Sequence, residues 1–295
     1  MIKVVIPATS ANLGPGFDTL GVALNLYNTF TFEEIPQGLE ILGCENIYNN
    51  EENLVYTSML KTFDKIGYSV NGIKITINSD IPVCRGLGSS AACILGGVVG
   101  ANQLAGAPLS KEEVLEIATE IEGHPDNIAP ALFGGLVVSI MEDKNIFFNH
   151  INVAKGFKLV ALIPNFTLST KIARGVLPSK IAFTDAVYNV SRVSLLISAL
   201  SNGRFDLLKY AFKDKLHQPY RGVLIPEFDK IINKCDDIGS LGVFLSGAGP
   251  TIMTIIDESN DEFGIEMKKY LDALNNNWDV KELKLDFTGA TVIQC

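Results

Sequence analysis

Runs of apolar residues, broken by glycine, proline and charge, divide this chain into short strands and helices. Residues 4–6 are apolar, stop at Pro7 and read as a short buried strand. Residues 20–32 alternate in part and residues 73–77 alternate strictly, so both read as strands. Leu54, Met59, Leu60 and Phe63 repeat at helical spacing and predict a helix over 53–66, closed by Gly67. A second, apolar helix is predicted over 90–104. Ser110 and Glu113 write a capping box that opens a third, running to about Ile121. Strands follow over 136–140 and 158–163, then helices from about Thr184 to Leu200 and over 228–235. Strands flank a glycine-rich turn within 243–256, and a helix over 263–274 comes after them. No internal repeat is visible. Strands and helices mix without strict βαβ alternation, which favours an α+β fold over a doubly wound sheet. A boundary within 150–156 gives two expected domains, 1–152 and 153–295.

Composition narrows the function classes. With 295 residues, 47% of them hydrophobic, the chain can bury a sizeable core in two modest domains. A formal net charge of -9 leaves no broad basic face for nucleic acid, although a local basic pocket for a phosphorylated ligand remains open. No long uncharged apolar stretch with the flanks of a membrane helix appears, and the first residues read as a strand rather than a signal peptide. Five cysteines, odd in number and without a Cys-x-x-Cys pair, fit a reduced, cytoplasmic protein lacking structural zinc. His150 and His217 have no partner at metal-ligand spacing.

The chemistry concentrates in Pro82-Val83-Cys84-Arg85-Gly86-Leu87-Gly88-Ser89-Ser90-Ala91-Ala92. Two glycines let a backbone turn and approach a ligand closely. The residues after them open a helix, whose first N–H groups attract phosphate oxygens. Ser89 and Ser90 add hydroxyls, and Arg85 adds a positive charge. A P-loop would require a Gly-Lys-Ser/Thr ending, and no lysine follows here. A dinucleotide fingerprint is formally present as Gly86-x-Gly88-x-x-Ala91, but nine positions separate it from Ile77, the end of the preceding strand. A plainer reading makes the serines the N-cap of a core helix. Gly96, Gly97 and Gly100 inside that helix point to close packing against another element.

The string 82–92 resembles the ATP-binding motif of the GHMP kinases. Two further stretches resemble that family's other motifs in the expected order: 7–18 with Leu20-Gly21 after it, and Ser246-Gly247-Ala248-Gly249-Pro250-Thr251. Within the family, Pro7-Ala8-Thr9-Ser10-Ala11-Asn12, His124-Pro125-Asp126-Asn127 and Tyr220-Arg221 are most similar to the homoserine kinase branch. The resemblance implies a two-domain α+β fold, an N-terminal ribosomal-protein-S5-like domain and a C-terminal ferredoxin-like α/β-plait, with the site in the cleft between them. It implies ATP and Mg²⁺, L-homoserine as the phosphoryl acceptor, and a homodimer.

Residue roles follow from the resemblance alone. Ser90 would meet Mg²⁺ and phosphate. The partner carboxylate, counted eleven positions back from Asn127, would be Glu116, with Glu120 as its rival. Asn127 would orient the substrate hydroxyl where other GHMP kinases place an aspartate, and a carboxamide cannot serve as a base. Arg174 and Arg221 would bind the substrate carboxylate, Asn12 and Asp18 its amino and hydroxyl end. His124 would make a further substrate contact, and Thr170 would sit near the reaction centre.

Overall fold

The computed structural model describes residues 1–143 and 145–294. Its first layer is a sheet built around β1 (Ile2–Ala11) and the long β2 (Leu20–Glu34). β3 (Gly38–Leu42) and β4 (Gly72–Ser79) run parallel, joined through α1 (Leu54–Ile66). β5 (Leu136–Glu142) pairs with the start of β2 and with β6 (Asn145–Ile151). Pro7 does not end β1, contrary to the sequence reading. The register with β2 shifts between Pro7 and Ala8, and the strand continues to Ala11 because a bulge absorbs the missing donor.

Helices α2 (Ser89–Leu104), α3 (Lys111–Glu122) and α4 (Pro125–Phe133) cover this sheet. α2 is buried nearly all round, and its glycines lie where neighbours leave no room. A Cβ at Gly96 would sit 2.5 Å from the Phe30 ring, and one at Gly97 2.3 Å from the Val55 carbonyl oxygen. The Ser110–Glu113 capping box opens α3, and Gly123 at φ 96° closes it one residue before His124.

The second sheet holds β7 (Phe157–Pro164), β8 (Gly242–Leu245), β9 (Ile252–Asp257) and β10 (Trp278–Leu283) in the antiparallel order β10-β7-β9-β8. Between β7 and β8 come α5 (Thr170–Gly175), α6 (Phe183–Asn202), α7 (Leu208–Ala211), α8 (Gln218–Gly222) and α9 (Phe228–Asp237); α10 (Phe263–Leu271) joins β9 to β10. This is the order of a ferredoxin-like plait. Alternate residues of β7 serve two cores. Leu159, Ala161 and Ile163 join the large cluster that continues under the first sheet, while Val160 and Leu162 pack with α9 and α10 residues such as Ile231 and Met267.

The far end of the chain does not stay with the second sheet. After β10 the chain recrosses, and β11 (Thr291–Gln294) pairs with β1 at the edge of the first sheet. Among the described residues, no helix is long and apolar enough to cross a membrane.

Candidate active site

The glycine-serine loop is a folded junction among three distant stretches. Cys84, Gly86 and Gly88 adopt positive φ values of 55°, 78° and 72°. Gly88 must lack a side chain: a Cβ there would fall 2.0 Å from the Thr9 hydroxyl oxygen. Thr9 N–H donates to the Leu87 carbonyl (3.2 Å), and Gly247 N–H donates to the Ala11 carbonyl (3.0 Å). The Ser246 hydroxyl donates to the Gly86 carbonyl at 2.6 Å. The three motifs read from the sequence are thus one structure. Gly21 completes it, since a Cβ there would lie 1.8 Å from the Asp126 carbonyl oxygen.

The N-cap of α2 is Gly88, and no side chain caps the helix. The serines are therefore not the cap that the plainer sequence reading made them. The first N–H groups of α2 are left without a side-chain partner beside a cavity of about 610 Å³, which Gly86, Gly88, Ser89 and Ser90 help to line. Pro82, Val83, Cys84 and Arg85 line it too, whereas Leu87, Ala91 and Ala92 turn into the core. Arg85 is already engaged with backbone. Its guanidinium donates to the carbonyls of Pro164 (2.8 Å), Val83 (3.0 Å) and Asn165 (2.6 Å), which pins the loop to the end of β7.

Ser90 donates its hydroxyl hydrogen to Glu122 Oε2 at 2.7 Å, and both residues line the cavity. Burial pushes the Glu122 carboxyl above the usual range, more than the Ser90 bond lowers it. Glu116 does not reach this place. It lies on the exposed face of α3, and Glu120, also exposed, pairs with Lys65 at 2.6 Å. Counting eleven positions back from Asn127 assumes a longer connection than exists here. Gly123 ends α3 directly before α4, so Glu122, the last residue of α3, meets the cavity.

Asn127 accepts from the Thr9 hydroxyl at 2.8 Å, and its Nδ2 donates to Asp126 at 3.4 Å. Asp126, 2% exposed, also holds His124 Nδ1 at 2.5 Å. Burial alone would lower the His124 pKa, but the Asp126 bond and charge outweigh it and raise the value.

At the other end stand the charged groups. Arg174 donates two bonds to Asp18, Nη2 to Oδ1 at 2.9 Å and Nη1 to Oδ2 at 3.0 Å. Asn12 Nδ2 donates to the Gly247 carbonyl at 2.8 Å, and its Oδ1 accepts from Asp18 N–H at 3.0 Å. Arg221 is 2% exposed, and burial with the nearby Arg174 charge lowers its pKa to about 10. Thr170 lines the cavity from the first turn of α5. The cavity thus brings together Asn12, Asp18, Ser90, His124, Asn127, Thr170, Arg174 and Arg221, and leaves Glu116 out. Sequence reasoning missed Glu122 and Thr9. Glu122 carried a signal, since it directly precedes the Gly123 cap.

The family model for the GHMP kinases N terminal domain matches residues 53–135, and the GHMP kinases C terminal model matches residues 196–271. The chain belongs to the GHMP kinase family. Along its whole length it is similar to proteins named homoserine kinase: one from Clostridium botulinum is 54% identical over 295 residues, covering 100% of this chain and 99% of the relative. Another, from Clostridium beijerinckii, is 52% identical over the same length. The crystal structure of homoserine kinase from Cytophaga hutchinsonii superposes with a TM-score of 0.90 at 33% identity, covering 99% and 97% of the two chains. The Methanococcus jannaschii mevalonate kinase shares the fold at 17% identity, with a TM-score of 0.69.

Proposed function

We propose that this chain is a homoserine kinase, transferring the γ-phosphoryl group of ATP to the side-chain hydroxyl of L-homoserine and so serving threonine formation. One observation carries the reading. A single cavity has an uncapped helix end with the Ser90–Glu122 pair on one side and Asp18, Arg174 and Arg221 on the other. The first is suited to a triphosphate, the second to an α-amino acid zwitterion. The full-length similarity to homoserine kinases supports it.

Ser90 and Glu122 fit Mg²⁺, because they present hard oxygen donors and the desolvated Glu122 carboxylate gains from a cation. Two protein oxygens leave room for phosphate and water, the usual mode for this ion. When bound, the ion would neutralise phosphate charge. The α2 N–H groups hold phosphoryl oxygens, Arg174 and Arg221 hold the substrate carboxylate, and Asp18 with Asn12 holds its amino end. Asn127, fixed by Thr9, orients the hydroxyl for in-line attack without taking its proton. A loose transition state tolerates this, since it depends mostly on positioning and charge neutralisation. A cytoplasmic location and a homodimer belong to the same reading. Sedimentation showing a species at twice 32.0 kDa would support the pairing, and one at 32.0 kDa would contradict it.

The test is ADP release from Mg-ATP against homoserine, mevalonate, shikimate and galactose. Homoserine should be preferred by orders of magnitude. Preference for any other acceptor would overturn the assignment.

A further inference from the structure

His217 is the most deeply buried titratable ring in the molecule's cleft region, with 0% of its surface exposed, and the mechanism above does not use it. Its place is built with care. Asp214 accepts N–H bonds from Leu216 (3.0 Å), His217 (2.9 Å) and Gln218 (2.7 Å), and Asn189 Nδ2 donates to the same carboxylate at 2.6 Å. The His217 ring stacks on Phe17 with centroids 5.2 Å apart and planes 23° apart. The Arg221 guanidinium lies 5.1 Å from the centroid of that same Phe17 ring.

The hydrogen bonds assign the tautomer. His217 Nε2 lies 2.7 Å from the Gly14 carbonyl oxygen. A carbonyl only accepts, so Nε2 carries the hydrogen. In a neutral ring Nδ1 is then an acceptor, and it faces Arg221 Nη1 at 3.4 Å. The same Nη1 donates to the Gly247 carbonyl at 3.0 Å, and Nε donates to the Ala173 carbonyl at 3.2 Å. Ala173 directly precedes Arg174, so Arg221 bonds to the backbone beside the second arginine. Burial outweighs the nearby Asp214 charge and keeps the ring neutral, as an acceptor role requires.

We propose that His217 is a positioning residue: tethered to the Gly14 carbonyl through Nε2–H, it holds Arg221 through Nδ1 so that the guanidinium meets the carboxylate of an α-amino acid substrate. This deepens the homoserine kinase reading and rests on it. A cation on the ring would remove the acceptor and set two positive charges side by side. Loss of the ring nitrogens would let the guanidinium tilt away from its carbonyl partners and lose the geometry of a two-bond clamp.

The experiment compares the wild-type enzyme with His217→Phe, His217→Asn and His217→Gln. Phenylalanine keeps the stack on Phe17 but has neither nitrogen. Asparagine places an acceptor near the Nδ1 position, while glutamine reaches toward Gly14 without one there. Homoserine and 3-aminopropan-1-ol, its analogue lacking the carboxylate, serve as acceptors. For the Phe and Gln variants KM for homoserine should rise about tenfold, with kcat and KM for ATP within about threefold of wild type. Discrimination between homoserine and the amino alcohol should fall by the same factor, and Asn should restore most of both. If Phe fails to fold, the Asn and Gln pair carries the same contrast. Unchanged discrimination in Phe and Gln, equal behaviour of Asn and Gln, or a parallel loss in both KM values and kcat would overturn the proposal. A wild-type enzyme inactive on homoserine would instead overturn the reading on which it rests.

Discussion

In the proposed role as a cation ligand, Glu122 sets stability against function. Its carboxyl sits above its ordinary pKa of 4.5, mainly because burial disfavours the charge. A raised folded-state pKa means the contribution to stability is full below about 4.5 and is lost as pH rises through the folded value. Glu122→Gln should therefore raise the melting temperature at pH 7, with the gain fading toward pH 4.5, while reducing kcat by at least about a hundredfold. Ser90→Ala should likewise lower kcat more than it weakens homoserine. Glu116→Gln, on an exposed helix face, should change neither kcat nor stability by more than about 0.5 kcal/mol. Loss of activity in Glu116→Gln but not in Glu122→Gln would reverse the assignment. Arg221→Lys should raise KM for homoserine at least about tenfold, because a point charge cannot replace a planar fork in a buried site. Steady-state kinetics with an unchanged KM would count against the clamp. At this scale the sequence named most of the residues that line the cavity, because each lies in a short string with its own chemistry. Glu122 was not singled out because its position depends on where a helix stops, and the tie of His217 to Gly14 was not legible because the two lie some two hundred positions apart.

Among the elements, α2 and its preceding loop decide the site. The helix begins at Gly88, a residue favoured at an N-cap for its backbone freedom but with no side chain to accept the first N–H groups. The missing cap is what leaves its N–H groups for a ligand. Gly88→Ala should cost at least about 2 kcal/mol from positive φ and overlap with Thr9, and should raise KM for ATP more than KM for homoserine. Chemical denaturation with paired kinetics checks this, and a variant of wild-type stability and ATP affinity would contradict it. Long periodic helices such as α1 and α3 were legible from spacing and caps. α4 was not, since Pro130 lies inside so short a segment that a local reading finds little helical signal. In the fold Pro125 opens the helix, and Pro130 is tolerated within this short element, packed near Gly21.

Across the whole molecule, the C-terminal return binds the two sheets together. Tyr27 donates its hydroxyl hydrogen to Asp286 at 2.9 Å, and Asp286 also accepts from the N–H groups of Thr288 and Gly289. Burial first, and then Asp286, raise the Tyr27 pKa to about 12. That contribution is full below the ordinary value of 10 and is lost as pH rises through 12. Tyr27→Phe should cost about 1 kcal/mol at pH 7, seen as a drop of about 2–4 °C in the melting temperature, without changing kcat. An unchanged melting temperature would show that the strap needs no such tie. The α+β class was legible from the mixed order of elements, and the plait from family resemblance. The crossing of β11 was not, because a four-residue edge strand has no pattern that names its partner.

Phosphorus NMR of the wild-type enzyme with Mg-ATP and L-homoserine tests the central claim most directly. Phosphoryl transfer to the side-chain hydroxyl should give a phosphomonoester signal, split into a triplet by the two methylene protons beside it, growing as ADP appears and absent with Glu122→Gln. ADP accompanied by inorganic phosphate alone, or an ester formed equally well by the Glu122→Gln enzyme, would contradict the account.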